Sequence, residues 1–88
     1  MVNDGDLVAI FHSVHRVMQA EKALKQARCE MLLIPVPRQL SSDCGLAIRF
    51  PGSLKAEVLQ ALQGAGLEPS ELYRREGGQF ESESNETA

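Results

Sequence analysis

Eighty-eight residues with a formal charge of -3 make one small domain with a single modest core, too small to enclose a multi-layer active site. The charge is unevenly placed: of twelve Asp and Glu, four (Glu76, Glu81, Glu83 and Glu86) lie in a C-terminal stretch without Lys or Arg, and the remaining eight nearly balance nine basic residues. One Tyr and three Phe with no basic excess argue against the basic, aromatic-rich face that nucleic acids select.

Met1 to Asp6 is polar and acidic, without the basic n-region of a secretory signal, and no apolar run approaches membrane-spanning length. The expectation is a cytoplasmic chain with no membrane partner, in which Cys29 and Cys44 are thiols and not a staple.

In chain order, residues 1–6 read as a flexible N-terminus. Leu7-Val-Ala-Ile-Phe11 is apolar with no helical period, as in a strand buried on both faces at the middle of a sheet. Ser13 suits the N-cap of a helix from Val14 to about Arg28, whose Val17, Ala20, Leu24 and Ala27 repeat at helical spacing. The first turn carries His15 and Arg16, although the positive end of the helix dipole favours acids there. Met31 to Val36 reads as a second strand, and Pro35, which cannot donate to a ladder, places it at an edge. Leu46 to Phe50 alternates, with Leu46, Ile48 and Phe50 on one face and Ala47 and Arg49 on the other. After Pro51-Gly52, Ser53 is the expected cap of a second helix with Leu54, Val58, Ala61, Leu62 and Ala65 on its apolar side. Glu71 to Arg75 forms a last strand with Leu72 or Tyr73 facing inward. The domain is thus 7–75, and 76–88 reads as a disordered acidic tail, with Gly77-Gly78 as flexible spacing.

The order β-α-β-β-α-β predicts an α+β, ferredoxin-like two-layer sandwich with an antiparallel sheet in order 4-1-3-2 and both helices on one face. The other face, with Ala47 and Arg49, is expected to be uncovered and available for self-association into a homodimer or for docking.

This topology brings the end of the first strand, with His12 and Ser13, beside the loop that closes on Cys44 and Gly45. A two-residue turn would join the strands more tightly, so the longer loop is read as the working part. A thiol beside an imidazole and a helix N-terminus is placed to act as a nucleophilic thiolate, with Arg38 and Arg16 adding positive potential and Asp43 opposing it. Ser41 and Ser42 offer hydroxyls to an anion, and Gly45 permits close approach. The competing reading is an inert Cys44 packed as a small hydrophobe, in a ligand-sensing or protein-interaction module that uses the uncovered face. A third reading, metal binding by His12, His15, Asp43 and Cys44, lacks the paired spacing of a zinc motif, so no metal is assigned. Cys29 lies about 20 Å from Cys44 along the first helix, beyond disulfide reach.

The stretch Ile34-Pro-Val-Pro-Arg38, followed by Ser41-Ser42-Asp43-Cys44-Gly45-Leu46-Ala47-Ile48-Arg49-Phe50, resembles the small bacterial selenium/sulfur carrier protein-like family. Phe11-His12-Ser13 leading into Ala20-Glu21-Lys22 resembles that family's opening, and Arg28-Cys29-Glu30 departs from its usual glycine-containing turn. The resemblance implies a carrier that turns over no substrate of its own. Cys44 would hold sulfur or selenium as a persulfide or perselenide, with no other cofactor, His12 would stabilise the thiolate, and Ser13, Arg38, Ser41, Ser42 and Gly45 would form the binding surround. Its implied partners are a cysteine desulfurase or selenium donor and an acceptor protein.

Overall fold

A computed structural model describes residues 2–42 and 44–85. All five residues of β1 (Asp6–Ile10) are buried, since the strand is paired on both sides and packed on both faces. It runs antiparallel to β3 (Leu46–Pro51), with Ala9 opposite Ile48, and to β4 (Glu71–Glu76), with Ala9 opposite Leu72. Asp6 is only 8% exposed, a costly place for a charge without partners. Arg49 Nη1 and the Asn3 N–H both donate to its Oδ2 at 3.0 Å.

The helix α1 (Val14–Gln26) begins as expected. Ser13 is extended and its Oγ accepts the Arg16 N–H at 3.2 Å. Its buried stripe is Val17, Ala20 and Leu24. The second helix, α2 (Lys55–Gly64), departs from expectation: a single 3-10 turn over Gly52–Leu54 precedes it, Leu54 is the cap residue, and no side chain caps it. Ser53 therefore has no capping role. Both helices pack on one face of the sheet, where Val17, Ala20, Leu24, Val58, Leu59 and Leu62 meet Leu7, Ala9, Phe11, Ile48, Phe50 and Leu72.

The edge strand β2 (Leu32–Pro35) pairs with β3, Ile34 opposite Ala47. At the other edge stands β5 (Gln79–Ser82), which pairs antiparallel with β4 and was not expected. The four-strand order 4-1-3-2 is thereby corrected to five strands, β2-β3-β1-β4-β5, and β4 is an interior strand. Gly77 and Gly78 have φ of 56° and 78°, the paired positive values of a two-residue hairpin turn that only glycine adopts easily. The expectation of disorder from residue 76 is corrected through Asn85. The Glu83 N–H donates to Leu72 O at 2.8 Å, and Asn85 Nδ2 donates to Pro69 O at 3.1 Å. The rest of that expected tail, 86–88, lies outside the described residues. Within the N-terminal segment expected to be flexible, of which Met1 lies outside the described residues, the Gly5 N–H donates to Arg75 O at 2.7 Å.

The face opposite the helices is not bare. Val8, Ile10 and Ala47 are fully buried there, with Ile34, beneath Val2, Val36, Leu40, Tyr73 and Phe80. The expectation of an uncovered face is corrected, because the connection after β2 folds back over the sheet and lays Val36 and Leu40 on it. Among the described residues no helix is long and apolar enough to cross a membrane.

Candidate functional site

The connection from β2 to β3 is closed at its base by the Val36 N–H donating to Gly45 O at 3.0 Å, and is turned within by the Leu40 N–H donating to Pro37 O at 2.9 Å. Val36 and Leu40 anchor it to the sheet, so the polar residues between them and β3 are held at its rim. Gly45, with φ of 72°, turns the chain into β3.

Cys44 is half-buried and unbridged, packed at the margin of the helix-side core. Its thiol donates to Leu46 O at 3.3 Å, and the Ser42 hydroxyl lies 3.5 Å from the sulfur. Ser42 Oγ also accepts the Cys44 N–H at 3.3 Å, which fixes the hydroxyl beside the thiol. A hydroxyl can accept from a neutral thiol or donate to an anionic sulfur, whereas the Leu46 carbonyl only accepts. The local set therefore has one partner for each charge state.

His12 follows β1 in a left-handed conformation, φ 56°. The register that sets Ile10 opposite both Ala47 and Glu71 carries His12 past the paired residues, between the start of β3 and the start of β4. Its Nε2 pairs with a Glu71 carboxylate oxygen, and the other oxygen accepts the Tyr73 hydroxyl. The Tyr73 hydroxyl, followed by His12, holds the Glu71 carboxyl below its ordinary range, and the same bond raises the Tyr73 phenol. Glu71 and Tyr73 were not singled out from the sequence. Their alternation with Leu72 was the available signal, since it places both on the face toward which the Ile10–His12 alternation points.

The remaining expected residues are dispersed. Ser42, Cys44 and Gly45 stand together, while Ser41 is exposed. Ser13 uses its hydroxyl as a helix cap, and His15 and Arg16 are exposed on the first turn of α1. Arg38 lies at the far side of the loop, lining a cleft with Pro35, Pro37 and Arg75. Asp43 lies outside the described residues. Among the described residues no three His, Cys, Asp or Glu side chains are grouped to hold a metal ion.

Cys29 sits at the C-terminal end of α1, where its N–H donates to Leu24 O at 3.0 Å and its side chain packs on the core. Burial, then the Glu57 charge, pushes its thiol above the ordinary range. This is a helix-ending residue with little thiolate character.

The sequence profile of the family described as "Putative Se/S carrier protein-like" matches residues 6–74, from the first residue of β1 into β4. The chain belongs to this family. The carrier-like match includes His12, Glu71, Tyr73 and the whole Cys44 loop, and leaves β5 outside. A curated relative from Aquifex aeolicus (strain VF5), named "Putative sulfur carrier protein", is 27% identical over 73 residues, covering 81% of this chain and 37% of the relative. The chain thus spans little more than a third of that relative's length. No solved structure matches it.

Proposed function

We propose that the chain is a carrier that takes sulfur or selenium onto Cys44, holds it as a persulfide or perselenide, and relays it to an acceptor protein in the cytoplasm. The observation that carries this reading is the Ser42 hydroxyl fixed 3.5 Å from a free, half-buried Cys44 sulfur, within a loop anchored on both sides of the site. In the loading step the Cys44 thiolate attacks the outer sulfur of a donor persulfide. An S–S bond to Cys44 forms as the donor's S–S bond breaks, and the donor leaves as a thiolate that takes up the proton Cys44 released. In delivery an acceptor thiolate attacks the same outer atom, and the electron pair of the Cys44 S–S bond returns to Cys44. Neither step needs an oxidant or reductant, and selenium follows the same path with Se in the outer position.

Ser42 would donate to the thiolate or to the departing sulfur, while the His12 ring, expected to stabilise the thiolate, is engaged by Glu71. The surrounding fold is read as a ferredoxin-like sandwich extended by β5. A cysteine desulfurase or a selenium donor would supply the chalcogen.

The test is intact-mass analysis after incubation with a cysteine desulfurase and cysteine, or a selenocysteine-using donor with selenocysteine. The expected result is one added sulfur or selenium, kept in Cys29→Ser and absent in Cys44→Ser. An unmodified protein, or an adduct on Cys29, would remove the proposal.

A further inference from the structure

A cleft of about 360 Å³ lies on the face opposite the helices, beneath the loop that leaves β2. Its walls are Val2, Ile34, Pro35, Val36 and Pro37, with Gln39 at its margin, and its charged groups are Arg38 and Arg75. The volume falls within the range of small-molecule sites, which combine apolar walls with a few polar groups.

Arg75 is positioned by an aromatic ring. Its guanidinium lies over the Phe80 ring, 5.2 Å from the centroid, and its Nε is buried with no hydrogen-bond partner among the described residues. The nearest acid, Asp4, approaches that Nε only to 3.9 Å and is 65% exposed, so solvent screens the pair and the distance is too long for a hydrogen bond. That Nε is sealed from solvent, so an acceptor in the cleft would meet the rest of the guanidinium, on a side chain that is 27% exposed and has no hydrogen-bonded acid among the described residues. Arg38, exposed on the loop, supplies a second planar fork suited to a carboxylate.

We propose that this cleft binds a small organic carboxylate, the carboxylate meeting Arg75 and Arg38 and a short aliphatic or aromatic body lying against Val2, Ile34, Val36 and the two prolines. The apolar walls make a bare inorganic anion a poor match, and the two guanidinium groups make a cationic ligand a poor one. The site does not use the Cys44 sulfur, so it stands apart from the carrier chemistry, although Arg38 and Cys44 share one loop.

The experiment is a titration of the full chain with hexanoate, benzoate, hexylammonium and inorganic phosphate, followed by backbone amide NMR shifts. Hexanoate or benzoate is expected to give saturable shifts at Val2, Ile34, Val36 and Arg75, and Cys44→Ser is expected to bind as well as the native chain. Binding should weaken at least about tenfold in Arg38→Ala, whose exposed side chain is not needed for folding, and in Arg75→Lys, which keeps the charge without the fork. No saturable shift with either carboxylate, equal binding of hexylammonium or phosphate, or unchanged affinity in Arg38→Ala would overturn the proposal.

Discussion

Ser42 Oγ accepts the Cys44 N–H at 3.3 Å and stands 3.5 Å from the Cys44 sulfur, so one hydroxyl reads both the backbone and the thiol of the same residue. If this contact assists attack by Cys44, Ser42→Ala should slow chalcogen loading by roughly tenfold, the worth of one hydrogen bond to a charged group. Ser42→Thr keeps the hydroxyl and should restore most of the rate. Time-resolved intact mass under equal donor concentration measures this. An Ala variant that loads as fast as the native chain would leave Ser42 a role in shaping the loop only.

At the start of β4, Glu71 bridges Tyr73 and His12. Since the Tyr73 hydroxyl is the largest cause of the lowered Glu71 pKa, Tyr73→Phe should let that pKa rise further than His12→Gln does. The sign for stability follows: a carboxyl lowered in the fold contributes fully above its ordinary range, and the contribution fades as pH falls through the lowered value. Glu71 is 39% exposed, so the effect on stability is small, and carboxyl carbon NMR titration is the better measure. An unchanged Glu71 titration in Tyr73→Phe would contradict the assignment.

The parts legible in the sequence were those set by local chemistry. Five apolar residues with no helical period fitted a strand packed on both faces, Ser13 could be seen as a cap, and Pro35 pointed to the sheet edge that β2 occupies. What escaped was set by partners distant in the chain. Gly77-Gly78 was read by composition, although the same pair between Arg74-Arg75-Glu76 and Gln79-Phe80-Glu81 is also a hairpin turn signal. Leu40 gave no local sign that it would pack on the cluster of Val8, Ile10, Ile34 and Ala47, where it helps to cover a sheet face that the strand pattern left apparently open. At the site, Cys44 and its loop were visible as a departure from a minimal turn. The Glu71–Tyr73 support was hidden because it depends on the register of β4 against β1.

Glu83 binds the last strand pair to the body. Arg74 grips it with Nε and Nη2 at 3.1 and 3.2 Å, and Lys55 of α2 donates to it at 2.8 Å. Arg74 first, then Lys55, lowers its carboxyl from 4.5 to about 2. Glu83→Gln should therefore cost about 1–2 kcal/mol at neutral pH, a range that allows for solvent screening. The difference between variant and native chain should be full above about pH 4.5 and shrink as pH falls toward 2. Urea melts at a series of pH values test this, and a pH-independent difference would show that the loss is not electrostatic.

Both helices end in the same way, and the two ends differ by one residue. At α2 the Gly66 N–H donates to Gln63 O at 3.0 Å and the Leu67 N–H to Leu62 O at 2.8 Å, with Gly66 at φ 70°. At α1 the Arg28 N–H donates to Lys25 O and the Cys29 N–H to Leu24 O, both at 3.0 Å, with Arg28 at φ 58°. This paired bonding is the Schellman ending, which favours glycine at the left-handed position because a Cβ there is strained by about 1–2 kcal/mol. Arg28 is exposed, so its side chain offers little in compensation. Arg28→Gly should raise stability by about 1 kcal/mol, after allowance for the freer unfolded chain, and Gly66→Ala should lower it by a similar amount. The measurement is the urea midpoint at unchanged slope. Because Arg28 lies at the helix end remote from Cys44, chalcogen loading should be the same in Arg28→Gly. A midpoint that stays put or falls would mean that the Arg28 side chain stabilises its turn through contacts that outweigh the backbone strain.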